Sequence, residues 1–231
     1  EKYDINRDDQ DAFAYHSQMK AAAAQKEGLF AKEIIPVEIP QRKADPNQFK
    51  DDEFLKPHTT LDGLAKLKPA FKKDGTVTAG NSSGLNDGAV AMLIASEDGI
   101  NTHDLKPLAR IVTSAVVGVE PRIMGIGPVQ AANKALAKSG LTMAEMDVIE
   151  LNEAFSAQSL ACIREWNLAD DDAHINPNGG AIALGHPLGM TGTRIIQTAA
   201  IELQNQDKKY ALVTMCVGVG QGYAVILENI K

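Results

Sequence analysis

The first part of the chain mixes a helical pattern with long polar stretches. Residues 7 to 26 read as a helix: Asn6 is a natural N-cap, Asp8 and Asp9 fall in the first turn where the helix dipole favours acids, and Ala21 to Ala24 are strong helix formers. Gly28 stops it. An extended segment from Ile34 to Ile39 follows, broken by Pro36 and Pro40. Residues 41 to 58 are charged and polar and read as a long surface loop, and loops of that kind are commonly functional. A short helix is expected over residues 60 to 68, capped by Thr59 or Thr60. Thr76 to Gly88 is built from small, polar and glycine residues, as a tight loop beside a close neighbour would be. The apolar run Ala89 to Ala95 reads as a buried strand, and the polar residues 99 to 106 as a boundary.

Beyond that boundary, apolar runs alternate with helical periodicity. Strands are expected at Ala109 to Val117, Val148 to Leu151, Ala211 to Cys216 and Tyr223 to Leu227. Helices are expected at Val129 to Lys138, Phe155 to Asn167 and Gly189 to Asn205. This order predicts an α/β fold with a mixed, mainly parallel sheet closed by an antiparallel hairpin. The uncharged stretch Tyr210 to Leu227 approaches the length of a membrane span. Gly218, Gly220 and Gly222 at alternate positions, flanked by Val and Ile, instead favour two buried strands and a glycine-rich turn.

Composition narrows the partners. Of 231 residues, 44% are hydrophobic, enough for a sizeable core, and the net charge of −7 argues against nucleic acid as a main partner. Two cysteines, Cys162 and Cys216, make no disulfide framework and suit a reducing compartment, here taken as the cytoplasm. The chain begins at Glu1 with no signal-peptide pattern, and processing or truncation is expected to have removed what came before.

Three loops carry candidate chemistry. Asn152-Glu153-Ala154-Phe155 ends a buried strand, the edge at which open α/β sheets hold ligands. Asn152 there either holds a water or carbonyl or simply caps a helix. His186 is bracketed by Gly185 and Pro187, in extended backbone before a helix. Its surrounding glycines favour proton transfer to a close ligand over a turn-filling role. Cys216 ends a buried strand ahead of Gly218-x-Gly220, where backbone N–H groups beside a thiol would serve acyl chemistry. The alternative for Cys216 is an inert buried thiol, which is the reading for Cys162. The glycine spacing is not that of a dinucleotide site, and no histidine has metal-ligand spacing with another histidine or cysteine.

Taken in order, Asn152-Glu153-Ala154-Phe155, Gly185-His186-Pro187 and Cys216-x-Gly218-x-Gly220 resemble the thiolase family of acetyl-CoA acyltransferases. The resemblance extends over essentially the whole chain and sets it apart from ketoacyl synthases, which pair two histidines or a histidine with a lysine. It implies a layered αβα fold and a Claisen exchange between a 3-oxoacyl-CoA and coenzyme A, with no permanently bound cofactor. His186 would activate the acyl-accepting cysteine, and Cys216 would move the proton on the acetyl methyl carbon. Asn152 would hold a water that forms one oxyanion hole with His186, and the Gly218 N–H would help form another. Ser83 and Phe71 would line the pantetheine arm, and Lys56 would lie near the nucleotide end.

The same resemblance leads to the expectation that only the C-terminal portion of a thiolase is present. Residues 1–88 would be part of the loop domain that contacts CoA, 89–104 the last strand of the N-terminal domain with a linker, and 105–231 the C-terminal domain. The acyl-accepting cysteine would then lie outside the chain, leaving it inactive without a missing N-terminal half or a companion chain. A non-catalytic CoA-binding or assembly fragment is the alternative of another class. Homodimers or homotetramers are implied by the family. The loop containing Arg42 and Lys43 and the segments around Asn152 and Cys216 are similar to 3-oxoadipyl-CoA thiolases, with acetoacetyl-CoA or fatty-acid 3-ketoacyl-CoA thiolase as the runner-up.

Overall fold

The computed structural model describes residues 2–230. The first helix, α1 (Arg7–Lys26), begins at Asn6, whose side chain accepts the Asp9 N–H at 2.8 Å. It is buried along a face that carries Phe13, Ala14, Ala21 and Ala24 together with polar Gln10, Asp11, Ser17 and Gln18. The following polar stretch is less irregular than its composition suggests. Two short exposed strands, β1 (Val37–Ile39) and β2 (Asn47–Phe49), pair antiparallel around Arg42 and Lys43. Then come α2 (Leu61–Ala65), capped by Thr60, and α3 (Glu97–His103), capped by Ser96. α3 stands where a polar boundary was expected: Ser96, Glu97 and Asp98 form a helix start.

The main sheet is built from β3 (Ala109–Gly118), β4 (Val148–Leu151), β5 (Tyr210–Val217) and β6 (Gln221–Asn229), in the order β3-β6-β5-β4. The expectation of a mainly parallel sheet needs correction. Of the three pairings, β3·β6 and β5·β6 are antiparallel and only β4·β5 is parallel. The cause is the position of β6: it turns back from β5 and inserts beside β3, so it runs opposite to both neighbours. The uncharged stretch from Tyr210 to Leu227 is this β5–β6 hairpin, and among the described residues no helix is long and apolar enough to cross a membrane.

The strand expected at Ala89 to Ala95 is also corrected. No strand forms there, and Leu93 and Ile94 are 77% and 72% exposed. An apolar run signals an element that wants burial, but a strand also needs a neighbour for its backbone groups, and none lies alongside.

Four further helices complete the fold: α4 (Gly127–Ser139), α5 (Ser156–Glu165), the single turn α6 (Ala181–Leu184) and α7 (Leu188–Asn205). Successive residues of β5 point to opposite faces. Leu212 joins Ala132, Leu136, Leu160 and Ile226 on the α4–α5 side, while Ala211 and Val213 join Ile195, Ala199 and Leu203 of α7 on the other. The result is an αβα sandwich. Each fully buried Leu or Ile in these layers contributes roughly 1.5–3 kcal/mol.

One contact fixes how closely α4 lies on the sheet. A Cβ on Gly222 would collide with the Gly127 carbonyl, and one on Gly127 would press on Gln221. By contrast, a Cβ on Gly218 would meet nothing within 4 Å. Gly222→Ala is therefore expected to destabilise the chain by about 1–3 kcal/mol through overpacking, and Gly218→Ala to stay within about 0.5 kcal/mol of wild type. Urea denaturation of both variants checks this; equal midpoints would show that the close approach constrains nothing.

Candidate active site

The parallel pair β4·β5 delivers two of the predicted residues to one edge. Leu151 pairs with Thr214, and the Asn152 N–H donates to the Thr214 carbonyl at 3.0 Å as the chain leaves β4. Cys216 lies two residues further along β5, opposite Gly222 of β6. His186 arrives from the loop between α6 and α7. Its Nε2 lies 3.4 Å from Asn152 Nδ2 and its Nδ1 lies 2.8 Å from Thr191 Oγ1. All three are buried, at 1% exposure for Asn152, 9% for His186 and 6% for Cys216. Gly218 opens the turn beyond Cys216, with Val219 at φ +68, a left-handed conformation that strains a β-branched residue.

The electrostatics keep this edge neutral. Burial, with the Arg194 charge adding to it, lowers the His186 pKa, so the imidazole is uncharged at pH 7. Burial pushes the Cys216 thiol up to about 11, so it carries its proton at that pH. Asn152 Oδ1 is buried without a hydrogen-bond partner, a spare acceptor beside the imidazole.

The glycine-rich loop from Thr76 to Gly88 braces both the Asn152 and the His186 segments. Ser83 donates its N–H and its hydroxyl to the Ala154 carbonyl at 3.1 and 3.2 Å, and Ser156 N–H donates to Asn81 O. On the other side, His186 N–H donates to Gly84 O at 3.1 Å, with Asn86 Oδ1 at 3.3 Å. Phe71 is 74% exposed and meets the Phe155 ring edge-on at 6.0 Å. Ser83 and Phe71 thus both rest on the Asn152 loop. Lys56 is set apart from it: its ammonium donates to Phe54 O and lies 3.9 Å from the Phe54 ring centroid.

Several residues that frame the site were not singled out by sequence reasoning. Glu153 is buried and accepts from Ser17 Oγ at 2.6 Å, Asn176 Nδ2 at 2.8 Å and Ile182 N at 3.2 Å. Burial raises its pKa while those donors and Lys20 act against the shift. Asn86 had no signal beyond its glycine-rich neighbourhood. Cys162 sits fully buried in α5, its thiol donating to Gly125 O at 3.4 Å, and burial drives its pKa far up. Among the described residues no group of three or more His, Cys, Asp or Glu is placed to hold a metal ion.

Glu150, on β4, is 1% exposed; its carboxylate lies 3.8 Å from Arg194, and burial raises its pKa to about 8 against that cation. A carboxyl with a raised folded pKa holds a proton that the unfolded chain has lost. It therefore favours the fold at low pH and loses that contribution as pH climbs from the ordinary glutamate value of 4.5 towards 8. Stability should fall over that interval by a few kcal/mol at most, because a tenfold change in proton affinity is worth about 1.4 kcal/mol. Glu150→Gln, which mimics the protonated form, should flatten the profile. Thermal melts from pH 5 to 8 check this; an unchanged slope in the variant would assign the pH dependence elsewhere.

A model described as "Thiolase, C-terminal domain" matches residues 105–229, and one described as "Thiolase, N-terminal domain" matches residues 1–98. The beta-ketoadipyl-CoA thiolase of Acinetobacter baylyi is 57% identical over 230 residues, covering 100% of this chain and 57% of that protein. Two crystal structures of human mitochondrial 3-ketoacyl-CoA thiolase, one in complex with CoA, superpose with TM-scores of 0.95 and 0.94 at 48% identity. Each covers 99% of this chain, which in turn spans 57% and 56% of the human chains. The chain thus spans somewhat more than half the length of the relatives it matches.

These findings correct the expectation of a C-terminal portion alone. Signatures of both thiolase domains lie within the chain, so the second half of the fold is not all that is present. The expectation that it lacks an N-terminal half falls with it; placing the acyl-accepting cysteine outside the chain and reading the chain as an inactive fragment awaiting a companion both rested on that half being absent, and lose that ground. That expectation took residues 1–88 as part of the loop domain and 89–104 as the last strand of the N-terminal domain with a linker; the N-terminal domain model matches residues 1–98 nonetheless. With more than half of its residues matched by the C-terminal domain model alone, the chain belongs to the thiolase family.

Proposed function

We propose that the protein is a thiolase-type Claisen acyltransferase acting on a coenzyme A thioester. The observation that carries this is the pairing of Asn152 with a neutral His186 at the β4·β5 edge that also bears Cys216. In thiolysis, His186 takes the proton of the attacking thiol. The thiolate adds to the 3-oxo carbonyl, and the carbon–carbon bond breaks to release the enolate of acetyl-CoA, leaving the shortened acyl group as a thioester on the attacking sulfur and, at the end of the exchange, on coenzyme A. Cys216, protonated at neutral pH, returns a proton to that carbon. A water held by the spare Asn152 Oδ1, together with His186, would stabilise one thioester oxyanion, and the Gly218 N–H the other. Ser83 and Phe71, on the Asn152 loop, would line the pantetheine arm, and Lys56 would meet the nucleotide end by turning from Phe54. In domain terms, residues 1–88 would form the CoA-contacting loop region and 105–231 the catalytic C-terminal domain.

The acyl substrate we favour is 3-oxoadipyl-CoA, on the likeness to the Acinetobacter beta-ketoadipyl-CoA thiolase and on Arg42 and Lys43 at the tip of the β1–β2 hairpin, cations for a terminal carboxylate. The similarity to the human 3-ketoacyl-CoA thiolase supports a plain 3-ketoacyl-CoA as the second reading. Exposed Leu85, Leu93 and Ile94 suit a homo-oligomer, and two free thiols suit the cytoplasm.

The test is CoA-dependent loss of 3-oxoacyl thioester absorbance, with 3-oxoadipyl-CoA compared against acetoacetyl-CoA. His186→Asn is expected to lower kcat by about 10²–10⁴-fold and Asn152→Ala by about 10²–10³-fold, both with little change in KM. Cys162→Ala should leave the rate unchanged. Turnover that survives His186→Asn would sink this reading.

A further inference from the structure

We propose that Thr191 is a positioning residue that fixes His186 as the Nδ1–H tautomer, so that the bare Nε2 faces Asn152. Thr191 lies in the first turn of α7, and its Oγ1 sits 3.2 Å from the Pro187 carbonyl, four residues back, to which it donates. A threonine hydroxyl has one hydrogen, and this contact uses it. Towards His186 Nδ1, 2.8 Å away, the hydroxyl has only a lone pair to offer. Nδ1 must therefore carry the ring proton. A neutral imidazole has one N–H, so Nε2 is left as the acceptor.

The opposite side of the ring agrees. The group at 3.4 Å from Nε2 is the Asn152 side-chain nitrogen, which can donate but not accept. The reverse tautomer would set a donor against a donor at Nε2 and an acceptor against a bare nitrogen at Nδ1. Thr191 is 1% exposed, so no solvent exchange relaxes the arrangement, and Oγ1 is locked to the backbone that also carries the histidine. Free histidine prefers the proton on Nε2; here helix α7 reverses that preference with its first turn. The tautomer stands on this geometry alone. Its mechanistic meaning, a base whose free Nε2 can take a thiol's proton without first changing tautomer, rests on the thiolase-type reading above.

The experiment is long-range ¹H–¹⁵N NMR on the whole chain labelled at histidine, at a pH where the imidazole is neutral. The His186 spin system is identified by its loss in His186→Gln. The expected result is a protonated Nδ1 and an unprotonated Nε2 in wild type, a shift towards Nε2–H in Thr191→Val, and the wild-type pattern restored in Thr191→Ser. A wild-type ring protonated at Nε2 would overturn the proposal, as would a Thr191→Val spectrum identical to wild type. If Thr191→Val does not fold, the wild-type and Thr191→Ser spectra decide alone. Thioester turnover is read in parallel. The expected tautomer in a chain without turnover supports the role of Thr191 and counts against the thiolase-type reading, so the two fail separately.

Discussion

A single buried carboxylate organises the site. Glu153 is out of water, which raises its pKa and would by itself disfavour the charge. It is retained because its donors come from three separate stretches of chain: Ser17 in α1, Asn176 in the loop after α5, and Ile182 at α6. Gly180 passes so close that any side chain there would strike the carboxylate. The consequence is directional. Where extended chain leaves β4, neighbouring side chains point opposite ways, so a Glu153 anchored inward leaves Asn152 to meet His186. Loss of that anchor would free the angle of the Asn152 loop before it touched any reacting group.

The two open edges of the main sheet are managed in different ways. Along β4 the Asn176 side chain behaves as a short strand, accepting from Leu151 N and donating to Leu151 O, while its own N–H reaches Ile149 O. Along β3 two lysines of α4 do the work: Lys138 donates to Ser114 O at 2.7 Å and Lys134 to Val116 O at 3.1 Å. Charged groups on exposed strand carbonyls discourage pairing with a second sheet. The first device belongs to the site, since Asn176 serves Glu153 with the same amide nitrogen that closes the strand.

What the sequence made legible follows from the range of each signal. The strands and helices after residue 105 could be read because periodicity reports burial directly: Val148–Leu151 has the bounds expected of it, and α7 starts within a residue of its expected position. The apolar run at 89–95 misled for the same reason, because hydrophobicity says nothing about whether a partner strand is present. Strand direction was misjudged because β6 inserts beside β3, more than 100 residues away in sequence. At the site, glycine density marked the His186 and Cys216 loops, since glycine records close approach locally. Ser17 carries no such mark. It sits mid-helix, 136 residues from Glu153, and only the folded chain reveals why a hydroxyl belongs there.

The two thiols show how context separates identical residues. Both are buried and both are raised in pKa, so neither is a thiolate at neutral pH. Cys162 has donated its hydrogen to Gly125 O within a packed helix face, and nothing can come to it. Cys216 is the penultimate residue of β5, ahead of a turn in which a Cβ on Gly218 would meet nothing within 4 Å, and in the proposed reaction it is the thiol that returns a proton to carbon. Its neighbours on this edge, a neutral imidazole and an amide, bring no formal charge either. An enolate formed here would meet oriented dipoles rather than a counter-ion. Dipoles fixed in advance need little reorganisation when charge develops, which is where such a site gains over water. That places the demand on orientation, met by the Glu153 anchor on one side of the pair and by the Thr191 hydroxyl on the other.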